Sequence, residues 1–267
     1  MKRFQQTPLD PRYTQIIILF TLVIAGGFSG RVDVSLFQLL ISLSCCLLCQ
    51  YIASALTTVS FEWRSALITG LSLSLLLRMN SLSFAVLAAV IAISSKFLIR
   101  SQNKHIFNPA NFSIVVLLLL DAPIWVSPGQ WGSDVVLIAL LYIFGLAVLL
   151  QTRQWDIAFS FLAVFSTLLF LRGWYLGDPA SIAIHQLQNG ALMIFAFFML
   201  SDPKTIPTTK RYRFVFATMV AVFAYVLLFQ FQLREAIFYA LFMSCLMYSL
   251  NGLWLQQWKG RINAKTC

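Results

Sequence analysis

The sequence predicts an all-α integral membrane protein: about ten transmembrane helices in two inverted five-helix repeats, with the third helix of each half short or broken. Three observations predict it. Of 267 residues, 60% are apolar and 10% charged, with a mean hydropathy of +0.82, whereas a soluble chain carries about 25% charged residues. The few charges cluster between uncharged runs of the kind that span hydrocarbon. Those runs are unbroken rather than alternating, which fits helices and not a barrel.

The elements follow in order. Tyr13 to Phe28 comes after Lys2, Arg3 and Arg12, a flank that also suits a signal peptide. No small-residue cleavage site followed by a soluble domain appears, so this run is the first helix. Val34 to Val59 is the second and holds Cys45, Cys46 and Cys49. Its CxxC lacks the four ligands of a zinc site or iron-sulfur cluster. The cysteines read as small apolar fillers, with a cluster shared with a partner protein as the alternative. Ser65 to Leu77 is short, Leu82 to Leu98 carries Lys96 near its end, and Ala110 to Val126 closes the first half. The second half runs Val135 to Leu150, Ile157 to Tyr175, Ser181 to Leu200, Phe214 to Phe231 and Ala236 to Leu255.

The chain 1–267 is then a single polytopic membrane domain, with one repeat at about 13–126 and the other at about 135–257. Five helices per half force opposite orientations, and paired short helices at matching positions point to a site near the membrane middle. Each short segment contains Leu-x-x-Gly, ending at Gly70 and Gly190. The eighth also begins with His185, Gln186, Gln188 and Asn189. Either its helix starts near Asn189 and these lie in an outer loop, or they face protein or ligand in a re-entrant half-helix.

Charge sorting tests the count. With the N-terminus inside, 15 of the 19 Lys and Arg fall on the inner face, leaving Arg31, Arg78, Arg172 and Arg234 opposite. One miscounted helix inverts every later loop and mixes the two sets. This sorting also accounts for the +10 net charge without nucleic acid. There is no Gly-rich nucleotide fingerprint and no nucleophile–base pair, and His105 and His185 fall on opposite faces. No catalytic residue and no metal site is expected, and a stand-alone enzyme is not expected either.

Two inner loops carry unusual chemistry. In "MLSDPKTIPTTKRYR", Asp202-Pro203 ends a helix, Pro207 fixes a second bend, and Lys204, Thr205, Thr208 and Thr209 offer a charge and hydroxyls. The threonines either cap the next helix or bind a ligand's polar edge, and Asp202 is either an ion-pair anchor or a coordinating group. In "NKHIFNPANFSIVVLLLL", Pro109 suits a first helical turn and Asn108 either caps it or turns to a ligand. Asn111 lies inside that turn, where Asn is a poor helix former.

Together these stretches bring a family into view. "FNPANFSIVVLLLL" and "ALMIFAFFMLSDPKTIPTTKRYR" resemble the two signature regions of the RnfD and NqrB membrane proteins, which belong to the Rnf electron-transport complex and the sodium-pumping NADH:quinone oxidoreductase. "ALITGLSLSLLLRMNSLSFAVLAAVIAISSKFLIR" resembles the helix pair before the first signature. The resemblance implies ten helices in two inverted halves, a bacterial cytoplasmic membrane with both termini inside, and redox or membrane partner subunits. It also implies a flavin mononucleotide held through its phosphate to a threonine and, in some members, riboflavin.

The chain departs from that pattern. The attachment threonine belongs to a long insert after the fifth helix, and here only "DAPIWVSPGQWGSD", without threonine, stands there. No covalent flavin is expected. The reading is a short, divergent subunit of a redox-driven ion-translocating complex, holding FMN or riboflavin non-covalently among Gly70, Asn108, Pro109, Asn111, Gly190, Asp202, Lys204, Thr205, Thr208 and Thr209. The alternative is a flavin-free transporter or accessory scaffold that keeps the fold, as divergent members associated with enediyne biosynthesis do.

Overall fold

The structure, a computed structural model, describes residues 10–28, 35–57, 59–101, 104–127 and 135–263, apart from the side chains of 135–138 and 251–263. Lys2, Arg3, Arg31, Asn103, Lys265, Cys267 and the 128–134 part of the outer loop lie outside the described residues.

The apolar runs form α1 (Pro11–Phe28), α2 (Leu36–Leu56), α3 (Trp63–Leu76), α4 (Ser83–Leu98) and α5 (Pro109–Leu119). They continue as α6 (Val135–Thr152), α7 (Trp155–Leu176), α8 (Ala180–Leu187), α9 (Gly190–Ile194), α10 (Lys210–Phe229) and α11 (Ala236–Asn263). A π turn, Phe195–Met199, prolongs α9. α2, α7 and α10 are long and apolar enough to cross a membrane, and α8 with α9 and the π turn makes a fourth span if that bent pair is counted as one. The apolar stretches of α1, α4, α5, α6 and α11 are shorter, at Pro11–Gly27, Ser83–Leu98, Pro109–Leu119, Ala139–Thr152 and Ala236–Leu250.

The third predicted segment is a helix to within a residue of its predicted end, the fifth is helical only in part, and the eighth is interrupted. The third passes at Leu77 into β1 (Leu77–Met79), and the fifth stops at Leu119, after which β4 (Ile124–Val126) pairs antiparallel with β1. Asp121, with φ of 52°, turns the chain between them. A residue in the left-handed region cannot continue a right-handed helix, so the apolar run to Val126 divides into helix and strand. The eighth segment bends by 53° between α8 and α9. Asn189 accepts a hydrogen bond from the Ala191 N–H at 2.9 Å, capping α9 where the sequence placed a helix start. His185 and Gln186 sit in the separate α8 and not in a loop. A second small sheet, β2 (Arg100–Ser101) with β3 (Lys104–His105), leads into α5.

Helix packing separates the chain into two groups. In the first, α3 packs on α1 and α2, α2 on α4, and α4 on α5. In the second, α6 packs on α9, α7 on α8 and α10, and α10 on α11. The groups meet through α1 on α6 and α5 on α11.

Polarity follows membrane logic. Gln38, Ser42, Cys46 and Gln50 recur every fourth residue of α2 and are all buried, while Leu36, Phe37, Leu40 and Tyr51 face outward. Polar groups turned from lipid find partners: the Gln38 amide donates to the Leu77 carbonyl at 2.7 Å, and the Lys96 ammonium to Gln50 Oε1 at 3.0 Å. Ion pairs sort likewise. Arg12–Glu62 at 2.6 Å, Arg64–Asp10 at 2.9 Å and Arg213–Asp156 at 3.0 Å join residues assigned to the inner face. Arg172–Asp178 at 3.8 Å lies among the outer ones.

Candidate functional site

The two loops singled out by sequence meet. Asn108 has an extended backbone, and its side-chain oxygen accepts the Asn111 N–H at 3.2 Å, so it caps α5 with Pro109 in the first turn. The amide nitrogen of the same side chain makes a second contact, in which Nδ2 donates to Asp202 Oδ2 at 3.3 Å. His105 Nε2 lies 3.5 Å from that same oxygen.

Asp202 anchors its own loop as well. Its Oδ1 accepts the Lys204 N–H at 3.0 Å, and its main-chain carbonyl accepts the Thr205 hydroxyl at 3.2 Å. Burial pushes the Asp202 carboxyl up, but the neighbouring His105 ring and the Lys204 N–H and ammonium outweigh it. The carboxyl is held below the usual carboxylate range. An ionised Asp202 therefore faces the junction of the two helix groups.

A cleft of about 350 Å³ opens there. α1 contributes Arg12 and Gln15, α3 contributes Ser65, Thr69 and Ser72, and the end of α6 contributes Gln151 and Arg153. The two loops supply His105, Asn108, Pro109, Asp202 and Lys204, and Phe198 of the π turn adds an aromatic surface. Elements of both groups are thus needed to form it. Arg153 sits at φ 56° just past α6 and has no carboxylate within ion-pair distance among the described residues.

Of the expected site residues, Asn108, Pro109, Asp202 and Lys204 line this cleft, and Gly70, Asn111, Gly190, Thr205, Thr208 and Thr209 do not. Asn111 is 1% exposed and donates to the Phe238 carbonyl at 3.2 Å. Gly70 lets α3 close on α2: a Cβ there would lie 3.2 Å from the main chain of Leu43 and Ser42. Gly190 opens α9 and is buried. Thr205 is buried under the loop, and Thr209 takes the cap position of α10 without a side-chain hydrogen bond.

Sequence reasoning expected the short third helix at the site through Gly70 but passed over Ser65, Thr69 and Ser72, and over the α1 and α6 contributors altogether. One signal was present: Ser65, Thr69 and Ser72 share a face at helical spacing inside an apolar run, and polar groups in a span face protein, water or ligand. Arg12 and Arg153 carried no such mark, since a cation in an inner loop already satisfies the orientation rule.

The sequence pattern of the NQR2, RnfD, RnfE family matches residues 125–257. Similar curated proteins are each named as the D component of an ion-translocating oxidoreductase complex. That of Salmonella arizonae is 38% identical over 79 residues, covering 29% of this chain and 22% of its own length. Those of Salmonella paratyphi B and Salmonella newport are each 40% identical over 76 residues, covering 28% of this chain and 21% of theirs. The matched stretch thus spans about a fifth of the length of these relatives.

Proposed function

We propose, from the match of the NQR2, RnfD, RnfE family pattern to residues 125–257, that the chain is a membrane subunit of an ion-translocating oxidoreductase complex and holds a non-covalent flavin in the cleft. The observation that carries this is the Asn108–Asp202 contact: loops 94 positions apart join to close a cleft at the boundary of the two helix groups.

The packing supports the inverted-repeat reading of the whole chain as one membrane domain. α1 pairs with α6 and α5 with α11, so each helix at the boundary meets its own counterpart, as a pseudo-twofold axis requires. The third segment of the second half is divided into α8 and α9, whereas that of the first half is the short, continuous α3, which passes into β1. Asp10 and Arg12, each a member of an inner-face charge pair, line the cleft, which supports a position at the face the cation excess marks as cytoplasmic.

The residues present fit a flavin. A volume of about 350 Å³ lies in the small-ligand range of roughly 300–1,000 Å³. Amides and hydroxyls of Gln15, Ser65, Thr69 and Ser72 suit the amide-like edge of an isoalloxazine, and Phe198 offers a surface for its ring. Arg153 and Lys204 suit a phosphate, and Asp202 orients Asn108 within the wall. Bound there, the flavin supplies one- and two-electron chemistry, and the protein positions it and excludes water. Electrons arrive from partner subunits or a quinone, since every loop of this chain is too short for a nicotinamide-binding domain.

The test is the visible absorbance of the detergent-purified protein, followed by acid precipitation. Flavin released to the supernatant is the expected result, and its loss on Asp202→Ala places it in the cleft. Flavin in the pellet overturns non-covalent attachment. A colourless protein that takes up neither FMN nor riboflavin leaves the flavin-free transporter or scaffold, which the absence of threonine from residues 121–134 favours.

A further inference from the structure

A second cavity, also of about 350 Å³, lies away from the cleft, between the end of α7, the short α8 and Phe229 at the end of α10. The chain builds it with one turn. Gly177 takes φ of 74°, the left-handed conformation that closes α7, and the Asp178 N–H returns to the Gly173 carbonyl at 2.8 Å. Asp178 is thereby folded back against Arg172, whose Nη1 lies 3.8 Å from its carboxylate. Pro179 then starts α8, which covers the cavity with Ile182 and Ala183.

The wall is apolar except at this pair and at Gln186 of α8. Leu169, Phe170, Ile182 and Phe229 form an oily lining, and the Arg172 guanidinium lies 4.1 Å over the Phe229 ring. At 3.8 Å the pair is too far apart for a good hydrogen bond, and Arg172 makes no hydrogen bond to a described residue. A guanidinium with its donor fork uncommitted beside a carboxylate presents one positive and one negative site a few ångströms apart. Trp174 at the cavity's edge and the adjoining Tyr175 are 82% and 84% exposed, the position of aromatic side chains at a membrane–water interface.

We propose that this cavity binds the phosphoethanolamine headgroup of a membrane phospholipid, with the phosphate on Arg172, the primary ammonium on Asp178, and an acyl chain along Leu169, Phe170 and Ile182. The charge pattern selects the zwitterion. A purely anionic headgroup meets Asp178 as a like charge, and a trimethylated amine cannot donate hydrogen bonds to it. The apolar wall selects a lipid over a soluble phosphate.

Native mass spectrometry of the whole protein from micelles doped with equal amounts of phosphatidylethanolamine, phosphatidylglycerol and phosphatidylcholine tests this. Phosphatidylethanolamine is expected to be retained at least fivefold over the other two. Arg172→Gln removes retention, and Asp178→Asn removes the preference over phosphatidylglycerol. Equal retention of all three lipids by the wild-type protein overturns the proposal, as does a preference that survives Asp178→Asn. A series needing no variant runs from phosphatidylethanolamine through its mono- and dimethylated forms to phosphatidylcholine. Retention falls stepwise along it if the ammonium donates to Asp178, and a flat series overturns that contact. Glycerophosphoethanolamine, which lacks acyl chains, is expected not to compete at equal concentration; effective competition overturns the lipid as the source.

Discussion

The Asn111 side-chain amide donates to the Phe238 main-chain carbonyl at 3.2 Å, joining the third residue of α5 to the third residue of α11. Both residues are essentially sealed from solvent. The bond therefore sits where the two helix groups cross, and beside it Phe107 stacks on Phe242 with ring centroids 4.7 Å apart.

Asn111→Ala is expected to cost about 1–3 kcal/mol, the penalty for leaving a buried polar group unpaired. Its thermal transition in detergent falls, while the content of the flavin proposed for the cleft is unchanged, because Asn111 does not line the cleft. A variant with normal melting temperature and no flavin reverses that assignment and makes Asn111 a ligand.

Asp202 gives the protein a defined acid sensitivity. Its folded carboxyl binds a proton less tightly than an unfolded one, which titrates near about 4. The stability it contributes is complete above that value and drains away as pH falls through it toward the lower folded value. Melting temperatures measured between about pH 3 and 6 should fall more steeply for wild type than for Asp202→Asn at the acid end. Parallel curves remove the His105–Asp202–Lys204 arrangement as the cause.

Much of this was legible in the chain because membrane burial imposes crude rules. Long apolar runs became helices, and the cations counted to one face pair with acids of that face, as Arg12 with Glu62 and Arg213 with Asp156. Asn108-Pro109 was readable as a cap because its backbone geometry is local. The α8–α9 bend was half readable: the Asn189 cap was visible, but α8 beyond it is held by packing on α7. The role of Asn111 was hidden, since its partner is a carbonyl 127 positions away and a carbonyl leaves no mark in sequence. Gln15 and Arg153 joined the cleft for the same reason: the α1–α6 contact that brings them there is tertiary.

Gly145 shows how tightly the interrupted eighth segment is held. A Cβ at Gly145 on α6 would overlap the ring of Phe197 in the π turn, and Phe197 is 2% exposed, with Tyr142 edge-on against it. Gly145→Ala is expected to cost about 1–3 kcal/mol through overpacking. Adding Phe197→Leu should recover part of the loss, since the smaller side chain vacates the space. Additive losses in the double variant dismiss the contact as the cause.

Arg213 stands in the first turn of α10, behind Lys210 and Arg211. Cations at a helix N-terminus oppose the helix dipole. In helical membrane proteins cations in short loops serve orientation, a demand that can override this local cost. Arg213 is compensated by Asp156 in the first turn of α7, at 3.0 Å, and by the side-chain oxygen of Gln154. That carboxylate also suits the positive end of its own helix, so one residue offsets two unfavourable ends. The pair is largely buried, with 12% and 18% of the side chains exposed. Asp156→Asn should therefore cost about 2–4 kcal/mol by stranding the guanidinium, and Arg213→Met a comparable amount by stranding the carboxylate. The double variant should cost less than the sum, because neither charge is then left alone. A double-mutant cycle read by thermal melting in detergent decides it: strict additivity means the two residues stabilise α7 and α10 independently, and their proximity is then incidental.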